Sequence, residues 1–150
     1  DESYRNAGRH LRTIHTDERR LSAAEVCTLL RGVCVLNLAT VTAAGAPVVA
    51  PVDGLFLHGA FWFGSAPDSE RFRHIRANPR VSAAYTVGEE ISIVAHGIAH
   101  EIDTATGRYE DLRSYCVEVY GHEFESWGYW GNYPYARLEA RRFFAVRISG

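Results

Sequence analysis

At 150 residues, 47% of them hydrophobic, the chain suits one globular domain with a modest core and leaves no room for a second catalytic domain. Its formal net charge of -2, with acids and bases interspersed and no charged run, argues against nucleic acid as the main partner. All 16 basic side chains are Arg, which excludes Schiff-base lysine chemistry and leaves Arg and backbone amides to hold any phosphate.

In chain order, residues 1 to 20 are polar and without a clear period, and read as an N-terminal arm that orders only against a partner. The folded domain spans the remainder, 21 to 150. Ser22-Ala23-Ala24-Glu25 has the form of a capping box, with Val26, Leu29 and Leu30 at helical spacing behind it. Val33 to Thr42 is apolar and β-rich, Ala43-Ala44-Gly45 supplies a turn, and Pro47 to Leu57 completes a hairpin. His58-Gly59 connects tightly into Ala60 to Ser65, so three successive strands must be antiparallel. Asp68 or Ser69 caps a short helix carrying Phe72 and Ile75, and Asn78-Pro79 stops it before a strand from Val81 to Val87. Ile91 to Ile102 reads as a long strand. Thr104 to Tyr120 reads as an amphipathic helix with Tyr109, Leu112, Cys116 and Val119 on one face. An aromatic loop from Trp127 to Tyr135 leads into a closing strand, about Ala136 to Ile148. The expectation is a mainly β fold: a small, closed, six-stranded antiparallel barrel with short helices.

Cys27, Cys34 and Cys116 are odd in number and sit in apolar stretches, unlike a disulfide framework or a metal knuckle. No stretch approaches the roughly 20 apolar residues of a membrane span, and the first residues are charged where a signal peptide would be apolar. A soluble, cytoplasmic protein is expected. His96 and His100, four apart in a strand, would lie roughly 13 Å from each other, too far to share a metal ion. No G-x-S-x-G elbow, Walker loop, G-x-G-x-x-G turn or H-E-x-x-H helix occurs, so hydrolase, nucleotidase, Rossmann and zinc-protease readings lack support.

Six pieces, taken in order, carry a resemblance: Leu38-Ala39-Thr40-Val41, Gly45-Ala46-Pro47, Ala50-Pro51-Val52, Phe63-Gly64-Ser65, Ser69-Glu70-Arg71 and Asn78-Pro79-Arg80-Val81. Their order and spacing resemble the pyridoxamine 5'-phosphate oxidase-like flavin-binding split barrels over residues 22 to 102. Over the C-terminal third only the helix-then-strand layout is shared. The resemblance implies a Greek-key split barrel working as a homodimer, with FMN, or in some relatives a deazaflavin coenzyme, held in a groove between the subunits.

The resemblance also assigns sites. Ala50, Pro51, Val52 and Asp53 would run along the flavin ring and offer it main-chain groups, although the same stretch also reads as ordinary barrel core. Gly64 and Ser65, with Ser69, Glu70 and Arg71 opening the next helix, match the phosphate grip, where hydroxyls, a guanidinium and helix amides converge on an anion. The bland alternative is that Ser69 is only a cap and Arg71 a solvated charge. Ser92 matches a position that reaches the flavin from the opposite subunit, or is an outward strand serine. Two departures stand out: Glu70 replaces a basic residue, and Ala50 replaces an Arg on the phosphate. They speak against vitamin B6 oxidation. Tyr109 and Arg113 resemble a substrate-phosphate pair offset by one residue, and read better as structural. Trp127, Trp130, Tyr133 and Tyr135 either lid a planar ring or pack a subunit interface.

The expected activity is therefore an FMN-dependent oxidoreductase acting on a small molecule, with no catalytic side chain and no metal assigned. The alternatives are a deazaflavin-dependent reductase, to which Arg5, Arg9 and Arg12 would lend a basic groove, and a non-enzymatic flavin- or haem-binding protein.

Overall fold

Strand β1 (Cys34–Val41) is buried at Cys34, Leu36, Leu38 and Thr40 and open at Val35 and Asn37, an alternation that separates the inside of a barrel from its outside. In this computed structural model, which describes residues 2–149, it is joined by β2 (Pro47–Leu57), β3 (Ala60–Gly64), β4 (Arg80–Val87), β5 (Ile91–Ile102) and β6 (Tyr135–Arg147). They close in the order β1-β2-β3-β6-β5-β4 with every neighbour antiparallel. This is the six-stranded barrel the sequence implies. Its interior is filled by side chains such as Leu36, Phe61, Phe63, Ile93 and Leu138. Each contributes roughly 1.5–3 kcal/mol by leaving water.

The longest pair, β5 with β6, bends at a bulge between His96 and Gly97. Gly97 lies so close to the Glu139 carbonyl that any Cβ there would overlap it. Only glycine permits that approach.

Strand β2 outruns its partner. It pairs with β1 along Pro47 to Gly54 but with β3 only through Gly54–Leu57, so the stretch from Pro47 to Asp53 has a strand on one side only. This seam positions the candidate site. The amide and carbonyl of a strand residue point to the same side, so proline at position 51 sacrifices no ladder hydrogen bond where its carbonyl faces the open edge.

Helices α1 (Glu2–Arg5) and α2 (Arg9–Ile14) lie in the N-terminal arm, which is thus ordered against its own barrel rather than awaiting a partner. The Tyr4 hydroxyl both donates to the Ala145 carbonyl and accepts from the Ala145 amide, Ser3 Oγ accepts from the Phe143 amide, and the Tyr4 ring meets Phe144 edge-on. A strand-edge bridge from Arg20 to Val146 extends the attachment. The signal was a few spaced contacts and not a period, so periodicity could not show it.

Helix α3 (Ala23–Leu29) opens with both halves of the capping box: the Ser22 side chain accepts from the Glu25 amide, and the Glu25 side chain from the Ser22 amide. Helix α4 (Glu70–Ala77) buries Phe72 and Ile75 in the barrel core. Helix α5 (Glu110–Tyr120) starts later than the sequence suggests, because Gly107–Tyr109 forms a 3-10 turn before it. It lays Leu112 and Cys116 on the outer wall of the barrel, over Leu55, Trp62 and Ile102, with Phe124 of the following 3-10 turn (His122–Trp127) in the same cluster.

Candidate functional site

The site grows from the start of α4. Ser69 adopts the extended conformation of an N-cap, and its Oγ accepts from the Phe72 amide. Because Phe72 and Ile75 lock the helix to the core, Arg71 on the first turn has a fixed origin, and it reaches back to the seam in β2. Its Nη2 donates to the Pro51 carbonyl at 3.0 Å and its Nη1 to Ser65 Oγ at 3.2 Å. Two of the five guanidinium donors are thereby used and the rest stay available. Half-burial holds the Arg71 pKa below its ordinary value, yet a guanidinium remains charged at any physiological pH. A positive charge is thus held beside two hydroxyls and the amides of Glu70 and Arg71, which lie in the first helical turn, where no carbonyl precedes them.

One concavity is lined by Arg71, and a second adjoins its partner Ser65. The smaller, about 220 Å³, is lined by Ala50, Thr40, Ser69, Glu70, Arg71 and His74, and Thr40 Oγ1 lies 2.9 Å from His74 Nδ1. The larger, about 380 Å³, opens on the other side of Ser65. Asp53, Gly64 and Ser65 form part of its wall, with aromatic rings from α5 and the following loop making up the rest. A side chain at position 64 would collide with the Tyr135 ring, so Gly64 is what lets that ring lie against the wall. Burial raises the pKa values of Tyr120, up to about 12, and of Tyr135, with the Asp53 charge reinforcing the first and the Cys116 thiol the second. Both phenols are therefore neutral donors at any ordinary pH.

Of the residues the sequence singles out, Pro51, Ser65, Ser69 and Arg71 come together in one cradle, and Asp53 and Gly64 line the aromatic cavity next to it. Ala50 faces the smaller recess, bringing no charge to it. Val52 turns its side chain into the core and, being next to Pro51, its amide and carbonyl toward Leu36 of β1, so it offers a ligand neither. Glu70 is exposed and pairs with Arg73. Ser92 lies between Thr86 and Val146 and lines neither concavity of its own chain. Trp127, Tyr133 and Tyr135 of the aromatic loop line the cavity, while Trp130 packs on the Tyr135 ring. Sequence reasoning misses Tyr120 and Phe124 as wall residues. The available signal was the aromatic end of an amphipathic helix running straight into the aromatic loop.

The other sequence candidates are engaged elsewhere. Tyr109 packs its ring against Trp62, and Arg113 pairs with Glu110 and Glu125. His96 bonds Ser82 and His100 bonds Glu139. Among the described residues no group of three or more His, Cys, Asp and Glu side chains is placed to hold a metal, and no helix is long and apolar enough to cross a membrane. All three cysteines are free, with burial pushing the Cys34 thiol up to about 11 and the Cys116 thiol up to about 12.

With this geometry in hand, the family model described as pyridoxamine 5'-phosphate oxidase matches residues 23–149. Among solved structures, a conserved hypothetical protein from Mycobacterium tuberculosis superposes with a TM-score of 0.73 at 19% identity, over 89% of each chain. The haem storage protein HutZ from Vibrio cholerae gives 0.70 at 16% identity, over 83% of this chain and 94% of that one. A FAD-binding protein from Mesorhizobium loti gives 0.66 at 23% identity, over 87% and 98% respectively. At these identities the likeness is one of fold. No curated protein matches the sequence.

Proposed function

The chain belongs to the pyridoxamine 5'-phosphate oxidase family, and from that premise we propose that it is an FMN-dependent oxidoreductase acting on a small molecule. The observation that carries this reading is the Arg71 bridge. A guanidinium held to Ser65 and to the Pro51 carbonyl, beside a Ser69-capped helix start, places its remaining donors where a phosphate monoester would complete them. The residues fit the phosphate end of FMN. They also fit its ring, because the open edge of β2 at Pro51 and Asp53 offers a planar heterocycle main-chain groups, the Asp53 amide among them, that no strand uses.

Bound there, the flavin would supply a redox centre that takes or gives a hydride. The chain's own residues bind and orient. Arg71, Ser65 and Ser69 fix one end, Pro51 stiffens the edge under the ring, and the aromatic cavity keeps water from the face where a substrate would lie. With Ala50 and Glu70 in place of two basic groups, the phosphate would meet fewer positive partners than the resemblance leads one to expect, Arg71 being the cation that holds it. Vitamin B6 oxidation is not the activity proposed.

We propose further that the working unit is a homodimer. The outer face of β1 and β2 leaves Val35 55% and Val49 65% exposed beside Pro51, an apolar patch next to the cradle that a second copy would cover. Ser92 would meet the flavin only across such an interface.

The test is a set of fluorescence titrations of purified protein with FMN, riboflavin and a deazaflavin coenzyme, alongside its absorbance spectrum and its mass in solution. FMN binding, with riboflavin weaker by about tenfold or more for want of a phosphate, is the expected result. Refusal of every flavin would remove the reading, and a preference for the deazaflavin would move it to that coenzyme. Bound flavin that no reductant or acceptor turns over would make the protein a carrier.

A further inference from the structure

The larger cavity differs in chemistry from the cradle it adjoins. Eight of its thirteen lining residues are aromatic, and no Arg or His is among them. Asp53 alone in that wall carries a charge at neutral pH. It stands exposed, while Leu55, two residues further along the same face of β2, is buried beneath α5. The hydroxyls of Tyr120 and Tyr135 make no hydrogen bond to the described residues, so they are free to meet polar atoms of a ligand. The volume of about 380 Å³ falls in the small-molecule range of roughly 300–1,000 Å³.

The one full charge on this wall is negative. Aromatic faces present negative potential, the carboxylate adds to it, and the phenols stay neutral. An anion entering here would lose water and meet no positive partner. A flat cation would gain stacking, cation–π attraction and an ion pair at the rim.

We propose that this cavity takes the substrate as a planar aromatic cation, its ring among Tyr120, Trp127, Tyr129 and Tyr133 and its positive nitrogen at Asp53. The assignment of this molecule as substrate rests on the flavin reading, since the cavity shares Ser65 and Asp53 with the proposed flavin site. Asp53 is then the residue that determines specificity, and phosphorylated or carboxylated ring compounds are poor ligands.

The experiment uses three bicyclic probes of similar size and different charge: N-methylquinolinium (cationic), quinoxaline (neutral) and 1-naphthoate (anionic). Each is titrated by calorimetry into protein saturated with FMN. N-methylquinolinium should bind more tightly than 1-naphthoate by about tenfold or more. Asp53→Asn should weaken the cation by about fivefold and leave quinoxaline unchanged within about twofold. Trp127→Leu, which removes ring surface and no charge, should weaken the cation and quinoxaline alike. Equal binding of anion and cation, or an Asp53→Asn protein that binds the cation as well as before, would overturn the proposal.

The two readings fail separately. If FMN does not bind, the same titrations on the protein as purified still report on the cavity, and a retained charge order would sink the flavin reading alone. If FMN binds and the charge order is absent, only the cavity assignment falls.

Discussion

The side chains of the polar cradle, Ser65, Ser69 and Arg71, come from one short stretch between the end of β3 and the first turn of α4, with the Pro51 carbonyl added from β2, whereas the aromatic cavity beside it draws Asp53, Trp62, Tyr120 and Tyr135 from four elements. The first depends on a helix start and the anchoring of that helix, and the second on α5 and its loop closing over the outer wall of the barrel. A local site of this kind is sensitive to single polar groups, and an assembled one to the packing that brings its walls together.

The largest effects should separate the two regions. Phe72 is fully buried and packs on Phe63 with ring centroids 6.1 Å apart, so Phe72→Ala should cost about 3–5 kcal/mol in urea unfolding. Because it frees the helix that positions Ser69 and Arg71, it should also weaken FMN. Leu112→Ala, at a side chain buried on the inner face of α5, should cost about 2–4 kcal/mol, yet leave FMN affinity nearly untouched in protein still folded. Equal losses of FMN binding in the two variants would erase the distinction.

Next in size, Arg71→Ala should lower FMN affinity by about tenfold to a hundredfold, measured by fluorescence, because a charge-assisted phosphate contact disappears while the core is unchanged. Ser69→Ala should cost about 1 kcal/mol of stability through the lost cap, with a smaller loss of FMN affinity than Arg71→Ala.

The smallest effect distinguishes the cavity by pH. The folded-state pKa of Tyr120 is raised, so folding favours its neutral form. That contribution is complete below the ordinary phenol value of about 10 and is lost as pH rises through about 12. The Cys34 and Cys116 thiols, raised to about 11 and about 12, act in the same sense from about pH 9 upward. The melting temperature should therefore fall over this alkaline range, and less steeply in Tyr120→Phe. An identical fall in that variant would show that the Tyr120 phenol takes no part.

The barrel was legible because each strand announces itself locally. Turns at Ala43-Ala44-Gly45 and His58-Gly59 forbid parallel crossovers, and alternation in β1 marks its inner face. The cradle was legible for the same reason, as a cap and an arginine two residues apart. What stayed hidden depends on distant contacts. The docking of the arm rests on Tyr4 meeting Ala145, which no period foretells. The cavity needs α5 to fold back over Leu55 and Trp62, and neither Tyr120 nor Phe124 differs in sequence from an ordinary packing residue. The open edge of β2 became visible only once β3 proved too short to cover it.

Everything proposed for the cradle rests on Arg71 turning its remaining donors to a phosphate while it stays bonded to Ser65 and the Pro51 carbonyl. A crystal structure of the FMN complex tests it directly. Phosphate oxygens should lie within hydrogen-bonding distance of the Arg71 guanidinium, Ser65 Oγ and Ser69 Oγ, with the ring along Pro51 to Asp53. Density for the phosphate elsewhere, with Arg71 still bonded only to Ser65 and the Pro51 carbonyl, would contradict it.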